Sequence, residues 1–412
     1  MKILLLNQTF YPDSLATSQQ VADLALYLTS KGHRVSVVAG RRGYEDKEKK
    51  YAKHEWYRDV EIHRVGSLGL GKRTIFHRIL EGVSFDLCLF WRLLFLPAHD
   101  IVVSFTSPPL IGLFGMFYTF AKGGRSVQWL MDVNPDAAFA VGYIRKSSLV
   151  GKFLNWVFEL TLKNADQIIV LDRWMQARIE AHGAAPEKIE IIPPWSVVSL
   201  QEAKALDSEG VAAFRMQHDL DGKTVVLYSG NHSVVHPLDT LLQAAYEMRN
   251  DPSFVFLFMG GGVRTLDVTA FKEKHGLTNV KQLPLQPRET VQDSLSSANI
   301  HVVVLGEAVS GLVHTSKIYS VLATGRPYVV IAPEKSHLND LINQCPYGRR
   351  VDHGNAKELV ETLRALSMAA PAELETIRAE NTRFVADRYD AKRSLSFFES
   401  GLSPFADKIP VP

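Results

Sequence analysis

Ser310 to Pro327 reads SGLVHTSKIYSVLATGRP. Small and hydroxyl residues lead into Ile318, Tyr319, Val321 and Leu322, and the run stops at Gly325-Arg326-Pro327. That pattern predicts a polar loop feeding a short buried helix, with Thr315 or Ser316 as N-cap. IHVVVL (300–305) before it and YVVIA (328–332) after it read as strands. A loop that leaves the carboxyl end of a parallel strand and enters a helix is a natural anion site. Lys317, with Ser310, Gly311 and Ser316 in the same loop, is therefore a candidate phosphate holder. Taken alone, the stretch also fits a solvated lysine on an ordinary turn.

Outward from this stretch, the same unit recurs. Thr224 to Tyr228 is a strand opening into Ser229-Gly230-Asn231-His232, followed by a helix over Leu238 to Met248. Phe254 to Met259 runs into Gly260-Gly261-Gly262, with Arg264 just beyond, and glycines there permit close backbone approach to a ligand. Val280 to Leu285 is a further strand. Leu359 to Leu366 and Glu373 to Asp387 read as helices, and the tail past Phe397 thins out. Toward the N-terminus, Lys2 to Leu6 is a nearly continuous apolar run and reads as a first strand, not a signal peptide. A polar loop over 7–17 follows, then a helix from Ser18 to Lys31 and a strand from Val35 to Ala39. This opening is Rossmann-like but lacks the G-x-G-x-x-G fingerprint, which argues against a dinucleotide cofactor. Val127 to Met131 leads into MDVNPD, placing Asp132 and Asp136 at a strand end, where ligands bind in such sheets. Helix capping is the structural alternative and suits Asp136 better. Pro193-Pro194 is the best domain boundary, and Leu200 to Asp221 reads as a charged helical segment.

The expected architecture is thus α/β, with Rossmann-like lobes at 1–197 and 198–385 and a C-terminal helix or tail at 386–412 packing back toward the first. A chain of 412 residues with net charge +2 does not point to nucleic-acid binding. Two cysteines, Cys88 and Cys345, make no metal spacing and suit a reducing, cytoplasmic setting. His232 and His236 are four apart, but Pro237 makes the segment a loop and no third ligand is evident. Phosphate or sugar contact is preferred there, together with Ser233, and no metal is expected. Residues 72–96 mix apolar and basic side chains. They read either as a core helix or as an amphipathic surface resting on the cytoplasmic membrane.

FYPDSLATSQQVADLALYLTSKGHRVSVV, EKIEIIPPWS, YSGNHSVVHPLDTLLQAA, FMGGGVR, NVKQLPLQPRETVQDSLSSANI and SKIYSVLATGRPYVVI together resemble a family 4 glycosyltransferase of the two-lobe GT-B kind. The subgroup is the one with Ser-Lys before the Gly-x-Pro turn, as in exopolysaccharide and lipopolysaccharide enzymes. The resemblance implies parallel sheets facing an inter-lobe cleft. It implies metal-independent, retaining transfer of a hexose from a nucleotide diphosphate, UDP- or GDP-linked, to a glycan or polyprenyl-linked acceptor. Donor contacts then fall to Gly230, Asn231, His232, Ser233, His236, Arg264, Leu285, Ser310, Gly311, Ser316, Lys317 and Ser320. Acceptor-side contacts fall to Ala16, Thr17, Ser18 and Asp132, with Lys317 and Asp132 catalytic. The chain departs from the family where Asn231 and His236 replace a basic pair and Ser320 replaces the ribose-binding glutamate, although Glu307 is nearby. Ala16-Thr17-Ser18 replaces a glycine pair, and Met131 replaces a histidine. These departures keep two alternatives in view, a non-catalytic sugar-nucleotide binder and a GT-B nucleotide-sugar 2-epimerase.

Overall fold

The computed structural model describes residues 1–13, 15–43, 49–69, 75–196, 208–287, 289–345 and 347–406. The chain divides into two compact units. The first comprises Met1–Pro194, Gly311–His314 and the segment from Lys392, and the second comprises Trp195–Ser310 and Thr315–Ala391.

In the first unit the elements run β1 (Lys2–Leu6), α1 (Ala16–Ser30), β2 (Arg34–Gly40), β3 (His54–Tyr57), β4 (Val60–Val65), α2 (Ile75–Phe95) and β5 (Ile101–Ser104). They continue through α3 (Ile111–Lys122), β6 (Arg125–Trp129), α4 (Asp136–Ala140), α5 (Leu149–Asn164), β7 (Gln167–Val170), α6 (Arg173–Ala181) and β8 (Ile189–Ile191). The eight strands form one sheet in the order β3-β4-β2-β1-β5-β6-β7-β8. β1 lies at its centre, with Ile3 paired in parallel to Val35 on one side and Ile101 on the other. Ile3, Leu4, Leu5 and Leu6 are fully buried, which explains a run of apolar residues without alternation. β3 is the exception to the parallel pattern, running antiparallel to β4 with His54 opposite His63. Phe85, Leu89 and Leu93 of α2 recur at helical spacing and, with Leu96 just past the helix end, pack on Leu4, Leu6, Val38 and Val102.

The second unit contains α7 (Glu209–Gln217), β9 (Thr224–Ser229), α8 (Asp239–Glu247), β10 (Phe254–Met259), α9 (Thr265–His275), β11 (Val280–Leu283), α10 (Val291–Ser296) and β12 (Ile300–Val304). Then follow α11 (Lys317–Ala323), β13 (Tyr328–Ile331), α12 (His337–Gln344), β14 (Gly348–Val351), α13 (Ala356–Ser367) and α14 (Pro371–Arg388). Its sheet is ordered β11-β10-β9-β12-β13-β14, and every pair in it is parallel. Both sheets are thus the open, doubly wound kind that places loops at strand carboxyl ends.

Three expectations change. β3 (HEWY) and β14 (GRRV) are strands the sequence did not announce. Both lie at sheet edges, where polar residues are tolerated and the apolar signature fades. The tail does not thin out after Phe397, because α15 (Ala391–Ala406) continues through it. Phe398 stacks on Trp129 with ring centroids 5.0 Å apart, and Glu399 accepts a hydrogen bond from Tyr27 at 2.9 Å. Of the charged segment expected over 200–221, residues 200–207 lie outside the described residues, and α7 occupies Glu209–Gln217. Among the described residues, no helix is long and apolar enough to cross a membrane.

Candidate functional site

The second unit gathers polar groups around Lys317. Its ammonium donates to the Tyr228 hydroxyl at 3.0 Å and lies 4.2 Å from the centroid of the same ring, a cation–π placement. Tyr228, next to last in β9, is fully buried and in turn donates to the Asn231 carbonyl at 2.9 Å. Gly230, at φ +124°, closes the other side. A Cβ added there would stand 3.1 Å from Lys317 Nζ, so the lysine needs glycine beside it. Burial pushes Lys317 down to about 7, since no carboxylate among the described residues offsets the loss of hydration. Such an environment favours an anion that restores its charge.

The β9–α8 loop supplies the neighbours. His236 N donates to Ser233 O at 3.1 Å, so the two histidines lie in a turn, as Pro237 requires. The β10–α9 loop braces it through His232 N to Gly261 O and Arg264 N to His232 O, both 2.9 Å. His232 Nδ1 is 3.1 Å from Thr265 Oγ1, while His232 Nε2, Ser233 Oγ and His236 Nδ1 are buried and have no hydrogen-bond partner among the described residues. Burial, and then the charge of Lys317, pushes His232 down to about 4 and holds His236 well below its ordinary value. Both imidazoles are therefore neutral at pH 7. They can offer directional hydrogen bonds to a ligand, while the net positive charge comes from Lys317.

The remaining expected residues have different surroundings. Arg264 is held by both oxygens of Asp239 at 3.0 and 3.2 Å and by Asp267 at 2.7 Å, which satisfies the guanidinium without any phosphate. Ser316 precedes α11 but makes no side-chain cap, and Thr315 instead donates its N–H to His337 at 3.1 Å. The expected hydroxyl N-cap is therefore not formed. Ser320 is buried within α11. Ser310 donates to the Lys335 carbonyl, and Leu285 is exposed after β11. Gly311 belongs with the first unit while Ser316 and Lys317 belong with the second, so the loop quoted first is shared between two bodies. Glu307 is exposed on an open depression lined also by Pro237, Asp239, Thr240 and His353.

In the first unit, Asp132 follows β6 and pairs as an isolated antiparallel bridge with Val313, beside a 2.7 Å bond from Val133 N to Leu312 O. Burial pushes its carboxyl up to about 6, against the opposing pull of His314. His314 Nδ1 lies 2.7 Å from Asp172, whose other oxygen caps α6 through Trp174 N and Met175 N at 2.8 Å. Sequence reading missed Asp172 and His314 as a pair, and likewise Tyr228. The available signal was the Leu-Asp-Arg-Trp strand end, which resembles any capped helix. Ala16, Thr17 and Ser18 form the first turn of α1, two residues earlier than expected, with Ser18 Oγ buried and unpartnered.

Asp136 is engaged structurally and does not cap a helix through its side chain. His182 Nε2 lies 3.1 Å from it, and this contact raises His182 above its ordinary value. Asp136 is held low by the same contact although burial opposes it. The histidine's contribution is full below its unfolded pKa and lost as pH rises through the folded one. The aspartate's is lost as pH falls through its own depressed value. His182→Ala should therefore cost roughly 2 kcal/mol near pH 5 and less at pH 9. Denaturant midpoints at the two pH values check this, and equal losses would refute it.

His54, Glu61 and His63 offer ligand atoms within 4.8 Å of one another. Arg92 lies 2.6 Å from His63 Nδ1, which directs the opposite ring N–H toward Glu61. Burial and Arg92 push His63 down to about 4. The trio reads as a hydrogen-bonded network of the β3–β4 hairpin.

Comparison with known proteins places the chain among sugar-transferring relatives by similarity. Residues 16–195 match the family model described as a glycosyl transferase 4-like domain. WcaI of Escherichia coli (strain K12), whose name assigns it as a glycosyl transferase to colanic acid biosynthesis, is 27% identical over 361 residues, covering 84% of this chain and 87% of its own. Among solved structures, sucrose-phosphate synthase from Thermosynechococcus elongatus matches at TM-score 0.79 with 16% identity, over 99% of this chain and 100% of that one. Anabaena HepE, in complex with UDP and glucose, matches at TM-score 0.74 with 15% identity, over 98% of this chain and 100% of its own.

Proposed function

We propose that this chain, which has the two-lobe GT-B fold, is a family 4 glycosyltransferase and that its second unit holds a nucleotide diphosphate sugar by the diphosphate at Lys317. In this reading the sugar passes, with retention and without a metal, to a glycan or polyprenyl-linked acceptor of a cell-surface polysaccharide. The observation that carries it is a half-buried ammonium whose desolvation no carboxylate among the described residues offsets, together with His232 Nε2, Ser233 Oγ and His236 Nδ1, which have no hydrogen-bond partner among those residues. A diphosphate supplies the charge that the lysine lacks and acceptors for the neighbouring donors. In the transition state the leaving diphosphate gains charge, and a preorganised ammonium stabilises it without reorganisation. Asp132, its carboxyl raised by burial beside His314, is assigned to the acceptor side with Ala16, Thr17 and Ser18. The colanic acid assignment of WcaI and the UDP and glucose held by HepE support this choice of substrates. Peripheral attachment to the cytoplasmic membrane through α2 belongs to the same reading, because its outer face exposes Leu87, Trp91 and Phe95.

The test is calorimetric titration with UDP, GDP and their sugars. Because Lys317 has a pKa of about 7 in the free protein, binding of the anion should draw in a proton. Affinity should then fall as pH rises above 7, by up to about tenfold per unit. Binding enthalpies that do not depend on the ionisation heat of the buffer at pH 8 would refute the pairing. Failure of every nucleotide to bind would refute the donor site as a whole.

A further inference from the structure

The apolar surface of the first unit extends well beyond α2. α3 packs between α2 and α5, and α2 and α3 share one buried core against the sheet. Lys122 at the end of α3 donates to the Leu94 carbonyl at 2.8 Å, tying the two helices together. What these helices turn to solvent is unusual. On α3, Phe120 is 91% exposed and Phe117 is exposed too. On α5, Leu149 is 86% exposed, with Phe153 and Trp156 beside it on the helix surface. Large apolar side chains exposed together on packed helices mark an interaction surface on a soluble protein.

The charges say what covers this face. Arg145 and Lys146 precede α5, and Lys152 and Lys163 project from it, all exposed. The acids of α2, Glu81 and Asp86, are buried, and Glu159 of α5 is bound to Asn155 and His182. A second copy meeting this face through the same patch would set these basic residues like against like. An anionic lipid surface satisfies both components, since its headgroups pair with the lysines and its acyl boundary receives the aromatic and aliphatic side chains. We propose that α2, α3 and α5 together form a platform that lies on an anionic bilayer. This rests on the membrane attachment read above from α2 and extends it to two further helices and to a lipid charge.

The experiment is co-sedimentation of the full chain with vesicles of phosphatidylcholine alone or mixed with phosphatidylglycerol. The wild-type protein should pellet with the mixed vesicles and be released by salt. The α3/α5 variant Phe120→Asp with Trp156→Asp and the α2 variant Leu87→Asp with Trp91→Asp should each lose at least about tenfold in partitioning. Lys146→Glu with Lys152→Glu should abolish the preference for phosphatidylglycerol. These positions are exposed, and thermal shift on adding nucleotide reports that each variant is folded with its donor site intact. If the α3/α5 variant binds like wild type while the α2 variant does not, the platform is overturned and attachment by α2 stands. If wild type stays in solution with both vesicles, both ideas fail. A dimer dissolved by the same substitutions would name a second copy as the occupant and overturn the platform.

Discussion

Lys317→Ala should lower turnover by roughly 10²-fold or more, a loss of about 2.7 kcal/mol of transition-state stabilisation. The effect is large because, among the described residues, the other basic groups of these loops are neutral or already paired. His232 and His236 are neutral, pushed down by burial and by Lys317 itself, and Arg264 is spent on Asp239 and Asp267. The loss should fall more on kcat than on KM, since charge accumulates on the leaving diphosphate. Lys317→Arg should rescue little, because Gly230 and the Tyr228 ring leave the head group no room for a planar fork. Steady-state release of nucleotide measures both variants. A folded Lys317→Ala protein with unchanged kcat would remove Lys317 from the mechanism.

Gly260→Ala should destabilise the protein by about 3 kcal/mol or more and disturb donor binding, whereas its neighbour Gly261→Ala should stay within about 0.5 kcal/mol of wild type. Gly260 sits at φ +136°, and a Cβ there would lie 2.1 Å from the Gly230 carbonyl oxygen. That obstacle is backbone and cannot swing aside. Moving it displaces the residue that flanks the Lys317 ammonium. Gly261 meets nothing within 4 Å. Denaturant unfolding of the pair, with nucleotide titration of whatever folds, gives a direct comparison, and equal destabilisation would refute the close-approach argument.

Much of the fold was legible because buried parallel strands have a strong signature. Lys2–Leu6, Thr224–Ser229 and Ile300–Val304 lie in sheet interiors, so both of their faces demand apolar residues. The edge strands His54–Tyr57 and Gly348–Val351 escaped notice because solvent on one side removes that demand. In the candidate site, Lys317 and the turn at His232–His236 were readable from local punctuation, Pro237 forbidding a helix. Tyr228 was invisible as a partner, since an apolar strand residue and a lysine bed have the same sequence appearance.

The sequence by itself determined two Rossmann-like sheets, the loops at their carboxyl ends and the chemistry on offer there. These follow from periodicity, glycine and proline, which act over a few residues. Only the tertiary structure decided that Arg264 is committed to Asp239 and Asp267, that both histidines are neutral, and that Asp132, His314 and Asp172 meet in the first unit. Charge state and pairing depend on burial and on partners as many as 142 residues away along the chain, and no local pattern encodes a desolvation cost or a distant carboxylate.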